Sequence, residues 1–345
     1  MAWSFGDGFD LYAAPADANN GYWDATGLNP GSSSLVAGRF SGSRAISQAN
    51  ATTWIKTSSV NDAVHHFVVA FQQTSAITGS TPGLYFELFD GATAQCSVFF
   101  RSDGSILLTS GAPGGTVLAT YPGAFTVIST WFAFEIEVVI NSTTGSFIVR
   151  KNGNPSADFT ATGLNTRGGT ANNYANKLQV GSPNISSHVW DDFFWRSDAS
   201  SVAWLGDIRC YTRMPASDVS VQFSRTAGAT NASCVDEPQQ NSTTDYVFDS
   251  TPGDADFYSI GSIASTPVTT FAVVTRGYMQ KSDAGTRTAA VQLKSGGTTV
   301  ASPTLVLTTS GWQWAWRMDL TDPATSAAWT AAGVNAVNIG PLTVA

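Results

Sequence analysis

The chain has 345 residues, enough for two domains or one large β domain, and only 12% of them are charged, about half the usual globular share. Its net charge of −8, with no basic run, excludes the clustered Lys and Arg that nucleic-acid binding needs to replace phosphate counterions. No window approaches the roughly 20 apolar residues of a membrane span, and the amino terminus shows neither the charged leader nor the apolar segment of a signal peptide.

Residues 1–34 read as an irregular arm ending in the turn Asn29-Pro30-Gly31-Ser32, with Trp3, Phe5, Phe9, Tyr12, Tyr22 and Trp23 expected to staple it to a sheet. Two short strands follow, broken by Gly38, Gly42 and Arg44. Strands are expected at Trp54–Lys56, His65–Phe71 and Leu84–Asp90, from β-propensity and alternation. Gln95–Ser110 is a hairpin around Ser102-Asp103-Gly104, since Asp-Gly between apolar arms is a strong turn signal. Gly111–Gly115 is a loop, lacking the Lys-Ser/Thr of a phosphate cradle. Strands at Thr116–Tyr121, Trp131–Ile140 and Ser146–Lys151 come next, the last closed by the turn residues Asn152-Gly153. Residues 154–176 read as a surface loop, and Lys177–Val180 re-enters the sheet. No amphipathic helical period appears.

Val189–Arg213 reads as a hairpin, with arms Val189–Trp195 and Val202–Arg209, that closes a first domain (1–213) and hands over to a second (214–345). Met214–Asn241 is a polar transition over the surface, followed by Asp245–Phe248. Strands at Phe271–Lys281 and Thr286–Gly296 are joined by Ser282–Gly285. Trp312–Met318 is a further strand, and a helical turn is expected at Pro323–Ala332, capped by Thr321 or Asp322. The terminal residues 333–345 close a second sandwich.

Several residue sets invite a chemical reading. Glu135 and Glu137 lie on one strand face and could hydrolyse glycosides, but an ordinary polar outer face is the favoured reading. Asp191 and Asp192, with Asp7 and Asp10, could offer oxygen ligands to calcium. Neighbouring strand residues point to opposite faces, however, so the favoured role for Asp192 is capping a turn or pairing with Arg39 or Arg44. His65, His66 and His188 lack metal-ligand spacing, and Cys96, Cys210 and Cys234 are expected to be buried thiols rather than disulfides or zinc ligands. Trp312, Trp314 and Trp316 share a strand face that is a core face, a subunit interface or a sugar-stacking platform. No catalytic, cofactor or metal residue is assigned.

The order of elements resembles the concanavalin A-like lectin and laminin-G jelly rolls over about residues 1–212. The resemblance rests on Gly38-Arg39-Phe40, Phe67–Phe71, Phe99–Ser105, Trp131, Val149–Gly153 and Asp191-Asp192-Phe193. It is similar, further, to virion proteins of tailed bacteriophages, where such a module precedes a second β domain. Gly206-Asp207-Ile208-Arg209, Val235-Asp236-Glu237-Pro238 and Asp245-Tyr246-Val247 carry that likeness. The jelly-roll glycosidases have a third carboxylate where this chain has Val or Ile. The expectation is therefore an all-β protein, a concanavalin A-like jelly roll followed by a smaller β-sandwich. The resemblance implies a non-enzymatic structural protein of a phage particle, on tail, fibre or head surface, assembled in the host cytoplasm. Expected partners are other virion proteins, further copies of itself in a trimer or ring, and host-surface glycans. A polysaccharide depolymerase and a plain carbohydrate-binding module remain alternatives.

Overall fold

The structure, a computed structural model, describes residues 3–24, 33–48, 52–75, 82–182, 188–201, 203–239, 244–263 and 269–345. The turn expected at Asn29–Ser32 lies outside the described residues. Two compact units form: Met1–Asp10, Ala14–Asn19 and Trp23–Cys210 make the first, and Leu11–Ala13, Asn20–Tyr22 and Tyr211–Ala345 the second.

The first unit contains β1 (Trp3–Asp7), β2 (Ser34–Ala37), β3 (Arg44–Ser47), β4 (Thr52–Asp62), β5 (Val64–Gln73), β6 (Pro82–Asp90) and β7 (Thr93–Arg101). It continues with β8 (Ile106–Ser110), β9 (Val117–Tyr121), β10 (Trp131–Val139), β11 (Gly145–Lys151), β12 (Phe159–Leu164), β13 (Ala175–Ser182) and β14 (His188–Asp198). One sheet runs β12-β11-β10-β5-β14-β3-β2, with β1 also on β14; the other runs β4-β13-β6-β7-β8-β9. All pairs are antiparallel. The sheets pack face to face through Phe67 on Phe86 (5.6 Å between centroids), Phe71 on Phe100 (4.5 Å) and Phe193 on Phe86 (5.9 Å). This is the expected jelly-roll sandwich. The arm is more regular than its sequence suggests: β1 is a ladder strand, and Phe5, Phe9 and Trp23 interlock with Trp54, Trp190 and Phe193 in the core. Such edge-to-face pairs each add about 0.5–1.5 kcal/mol beyond the area they bury. Residues 154–176 are not all loop, since β12 lies among them and pairs with β11.

β14 departs from strict alternation at one point. Its register on β5 shifts between Asp191 and Phe194, and Asp192 sits at φ +48°. Two residues therefore oppose one, so Trp190 and Phe193 both face inward while Asp191 and Asp192 both face outward. The expectation that these aspartates must occupy opposite faces is overturned by this bulge. The second arm of the expected hairpin is also absent as a strand. Residues 203–210 carry no ladder and instead form a strap across the outer face of the β10–β5–β14 sheet, fixed by side chains. Glu135 accepts from the Leu205 and Gly206 amides (2.8 Å for the latter), and Asp192 accepts from the Cys210 amide at 2.7 Å. Trp204 is sandwiched by Arg150, whose guanidinium carbon lies 4.1 Å from the ring centre, and by the edge of His66.

The second unit contains β15 (Pro215–Ser220), β16 (Ser224–Arg225), β17 (Val247–Phe248), β18 (Phe257–Ile260), β19 (Val273–Met279) and β20 (Thr288–Ser295). After these come β21 (Thr298–Ala301), β22 (Leu305–Val306), β23 (Gln313–Asp319), helix α1 (Ala331–Asn335) and β24 (Asn338–Thr343). A sheet β15-β18-β24-β20-β21, with β22 also on β20, is accompanied by two ribbons, β16-β17 and β19-β23. The strands expected at Phe271–Lys281 and Thr286–Gly296 exist but do not pair: β19 joins β23, and β20 joins β24. Gly277 explains the layering, because a Cβ there would strike Val291 of β20. Leu293, Trp329, Val334 and Val337 fill the core. The helix begins later than expected, capped by Thr330, whose side chain accepts from the Gly333 amide; Asp322 instead caps the turn at Ala324. Residues 214–239 are not a mere transition. Buried Asp256 accepts from the Gln222 and Phe223 amides, Asn231 Nδ2 and Tyr258 Oη, so the segment is stitched into the unit.

Because Asp192 combines a left-handed backbone with an acceptor role, replacements there separate the two. Asp192→Ala is expected to cost about 1–3 kcal/mol in urea denaturation. Asp192→Asn, which tolerates positive φ and keeps an acceptor, is expected to stay within about 0.5 kcal/mol of the parent or to exceed it.

Candidate functional site

The outer face of the six-stranded sheet of the first unit carries the most organised chemistry. Phe86 and Phe100 turn toward the opposing sheet, so alternation turns Tyr85, Glu87 and Phe89 of β6 and Phe99 of β7 away from it. Cross-strand register then places Gly181 beside Tyr85, Gln179 beside Glu87, and Lys177 beside Phe89. On the other side Phe99 faces Tyr85, and Leu107 faces Phe99. Tyr85, Phe99 and Leu107 form an apolar cluster of their own, apart from the sandwich core.

The Gln179 amide nitrogen donates to Tyr85 Oη at 3.1 Å and to Glu87 Oε2 at 3.3 Å. Lys177 Nζ stands 4.2 Å from the centre of the Phe89 ring. Gly181 is required here because a Cβ would run into the Tyr85 phenol. The result is a row, Tyr85–Gln179–Glu87–Lys177–Phe89, in which two aromatic rings bracket an amide, a carboxyl and an ammonium. Burial pushes the Glu87 carboxyl up to about 7, with Lys177 pulling back. Burial likewise raises the Tyr85 phenol, against the Gln179 hydrogen bond and with the Glu87 charge. Near neutrality Glu87 therefore exchanges a proton, as donor and acceptor below that pH and as acceptor only above it.

None of these residues is prominent in the sequence. The available signal was Leu84–Asp90, where Leu84, Phe86 and Leu88 already supply a core face. Two aromatics and a Glu on the opposite face suit neither a core nor an ordinary solvated surface.

The residues that the sequence did single out have other tasks. Glu135 and Glu137 lie on the outer face of the other sheet beneath the strap. Glu137 accepts from Ser201 Oγ at 3.1 Å, and Glu135 Oε1 lies 3.2 Å from His66 Nε2 in addition to its two amides. Of the four aspartates, Asp7 points inward and takes Trp23 Nε1 (2.8 Å) and the Phe9 amide (3.1 Å). Asp10 takes the Arg44 amide at 2.7 Å, and Asp191 the Arg39 and Asp192 amides at 2.9 and 2.7 Å. Arg39 reaches Asp192 at 3.8 Å and Asp207 with both nitrogens at 2.5 Å. Burial raises the carboxyls of Asp191 and Asp192, and the Asp191 charge raises Asp192 further. The pairing of Asp192 with Arg39 is thus present, and Asp7 is taken up by Trp23 and Phe9, while the charges of Asp10 and Asp191 act on Asp192.

His65 accepts from Trp195 Nε1 at its Nδ1 (3.3 Å) and turns Nε2 to the Asp62 carbonyl (2.9 Å), the pattern of a neutral ring, and burial lowers it to about 4. His188 is lowered to about 4 by burial too. All three cysteines are free; Cys96 and Cys234 are buried and Cys210 is half-buried. Trp314 is buried in the second unit, and half-buried Trp316 packs edge-on against Tyr22 at 5.3 Å. Among the described residues no helix is long and apolar enough to cross a membrane.

No family model matches the chain, and no curated protein matches it in sequence. Among solved structures it is similar to the galectin LEC-6 of Caenorhabditis elegans, at 13% identity and a TM-score of 0.28, covering 42% of this chain and 89% of that one. It is similar to the CBM2 module of the evolved Dit of Lactobacillus casei BL23 phage J-1, at 12% identity and TM-score 0.33, covering 59% and 92%. The catalytic domain of a glycoside hydrolase family 131 protein from Coprinopsis cinerea gives 13% identity and TM-score 0.33, covering 59% and 97%. At such values none of these likenesses bears on ligand or activity.

The raised Glu87 has a signed consequence. The folded state holds this proton up to about pH 7, whereas the unfolded chain releases it near 4.5. Its stabilising contribution is therefore complete below about pH 4.5 and is lost as pH rises through 7. Glu87→Gln is expected to gain about 1–2 kcal/mol over the parent at pH 8 and nothing at pH 4, in denaturant titrations at both values.

Proposed function

We propose that the protein is a non-enzymatic, carbohydrate-binding structural protein of a bacteriophage particle, which seats glycans on the outer face of its six-stranded sheet. The observation that carries the binding reading is the row Tyr85–Gln179–Glu87–Lys177–Phe89. A pyranose has an apolar C–H face and a rim of hydroxyls. The half-buried Phe89 ring matches the first, and the Gln179 amide and Lys177 ammonium match the second, with buried Tyr85 and Glu87 holding Gln179 in place behind them. Low surface charge suits a neutral ligand. The particle assignment rests on the sequence resemblance at Gly206–Arg209, Val235–Pro238 and Asp245–Val247.

The non-enzymatic reading is supported by the state of Glu135 and Glu137, whose oxygens receive the strap's amides and the Ser201 hydroxyl. A depolymerase would need such a pair open to a glycosidic bond and water.

Glycan-array screening followed by calorimetry tests the binding, and mass spectrometry of purified particles tests the location. Gln179→Ala is expected to weaken glycan binding about tenfold, the loss of one hydrogen bond to a polar ligand, and Tyr85→Phe to weaken it by loosening the hold on Gln179. Glu135→Gln should leave it unchanged. Release of reducing ends from a bacterial polysaccharide, abolished by Glu135→Gln, would instead establish the depolymerase.

A further inference from the structure

The second unit holds a file of ring contacts that runs from its interior to its surface. Tyr12 and Tyr22, both without exposed surface, meet Trp314 and Trp316 edge-on at 6.0 and 5.3 Å. Arg276 lies over Tyr22 at 3.6 Å and Trp314 at 4.6 Å, closing the inner end. Tyr278 carries the file outward, 4.5 Å from Trp314 and stacked on Trp312 at 5.6 Å. Trp312 then meets Tyr246 at 6.5 Å and 71°, and Tyr246 meets Phe248 at 6.2 Å and 62°. At this outer end Tyr246 is 38% and Phe248 48% exposed.

We propose that Trp312, Tyr246 and Phe248 form a second glycan-stacking site, which receives a neutral pyranose ring. Three observations favour that occupant. The first is shape: Trp312 and Tyr246 meet close to a right angle and so supply a floor and a wall for one ring-sized ligand. The second is charge. The cation of the supporting ribbon, Arg225, is turned to the Gly228 carbonyl (3.4 Å) and Asn231 Oδ1 (3.3 Å), and the cross-strand neighbour of Phe248 is the exposed hydroxyl residue Ser224. A neutral, hydroxyl-bearing ligand fits such a surface. The third is area. Three partly covered rings offer a few hundred Å² at most, well below the roughly 800 Å² per partner of a stable protein interface.

The rings are also held in advance of any ligand. The Tyr246 amide donates to Thr226 Oγ1 at 2.9 Å, its carbonyl accepts from the Thr226 amide at 3.1 Å, and Trp312 is backed by Tyr278. The main chain at Tyr246 is thereby fixed before any ligand arrives. The site is distinct from the sheet face of the first unit, so the chain offers two separate places for a glycan.

The test uses the full chain with maltohexaose, cellohexaose and chitohexaose as probes, read by calorimetry and tryptophan fluorescence. In the Tyr85→Phe/Gln179→Ala background, at least one probe is expected to bind with a fluorescence change. Trp312→Ala and, separately, Tyr246→Ala should then weaken it about tenfold or more. Should Trp312→Ala misfold, Tyr246→Ala and Phe248→Ser, at exposed rings, decide the matter. Failure of the sheet-face reading is distinguishable, because the parent would then titrate with one Trp312-dependent site. Absence of binding by all three probes in that background overturns the proposal, as does binding indifferent to Trp312 and Tyr246. A parent dimer in sedimentation that Phe248→Ser converts to monomer overturns it too, by showing that a second copy covers the rings.

Discussion

The bulge in β14 is the constraint on which the first unit depends. A strand without it would send Asp192 into the sandwich and Phe193 out of it, exposing a ring and burying a carboxylate without partners. The extra residue lets Trp190 and Phe193 stand on the same inner face, where they meet Phe9, Trp23 and Phe86. It also doubles the outward carboxylates, and these grip Arg39 and the strap's end at Cys210. The cost is a left-handed Asp192 and two neighbouring buried acids. The dense aromatic packing on one side and the hydrogen bonds on the other offset it.

The strap follows the same logic on a larger scale. A segment with no ladder must place its amides somewhere, and here Glu135 and Asp192 receive three of them. Carboxylates on an outer sheet face thereby act as receptors for main chain. Trp204, held between Arg150 and His66, anchors the middle of the segment.

Much of the fold was legible in the sequence because local signals and tertiary context agreed. Ser102-Asp103-Gly104 forms its hairpin turn, Gly104 at φ +84°, and Asn152-Gly153 adopts positive φ at both residues. Legibility ended where tertiary context decided. Val202–Arg209 has strand-like composition, yet β1 already occupies the edge of β14 it would need. Phe271–Lys281 and Thr286–Gly296 are adjacent in sequence, but Gly277 lets their strands stack as layers rather than pair. At the candidate site, Tyr85 and Glu87 were visible as an alternating strand. Their partners Gln179 and Lys177 come from β13, nearly a hundred residues later, and register across that distance cannot be read from spacing.

The pairing of β1 with β14 joins residues 3–7 to residues 193–197. Synthesis at about 5–20 residues per second puts roughly 10–40 seconds between the two. Over that interval the first strand, carrying Trp3 and Phe5, has no ladder to join. Leu11–Ala13 and Asn20–Tyr22 wait longer still, because the unit they complete includes β23, which ends at Asp319. Residues 3–22 are therefore made well before the segments that receive them, and their aromatic rings stay outside any ladder in the interval.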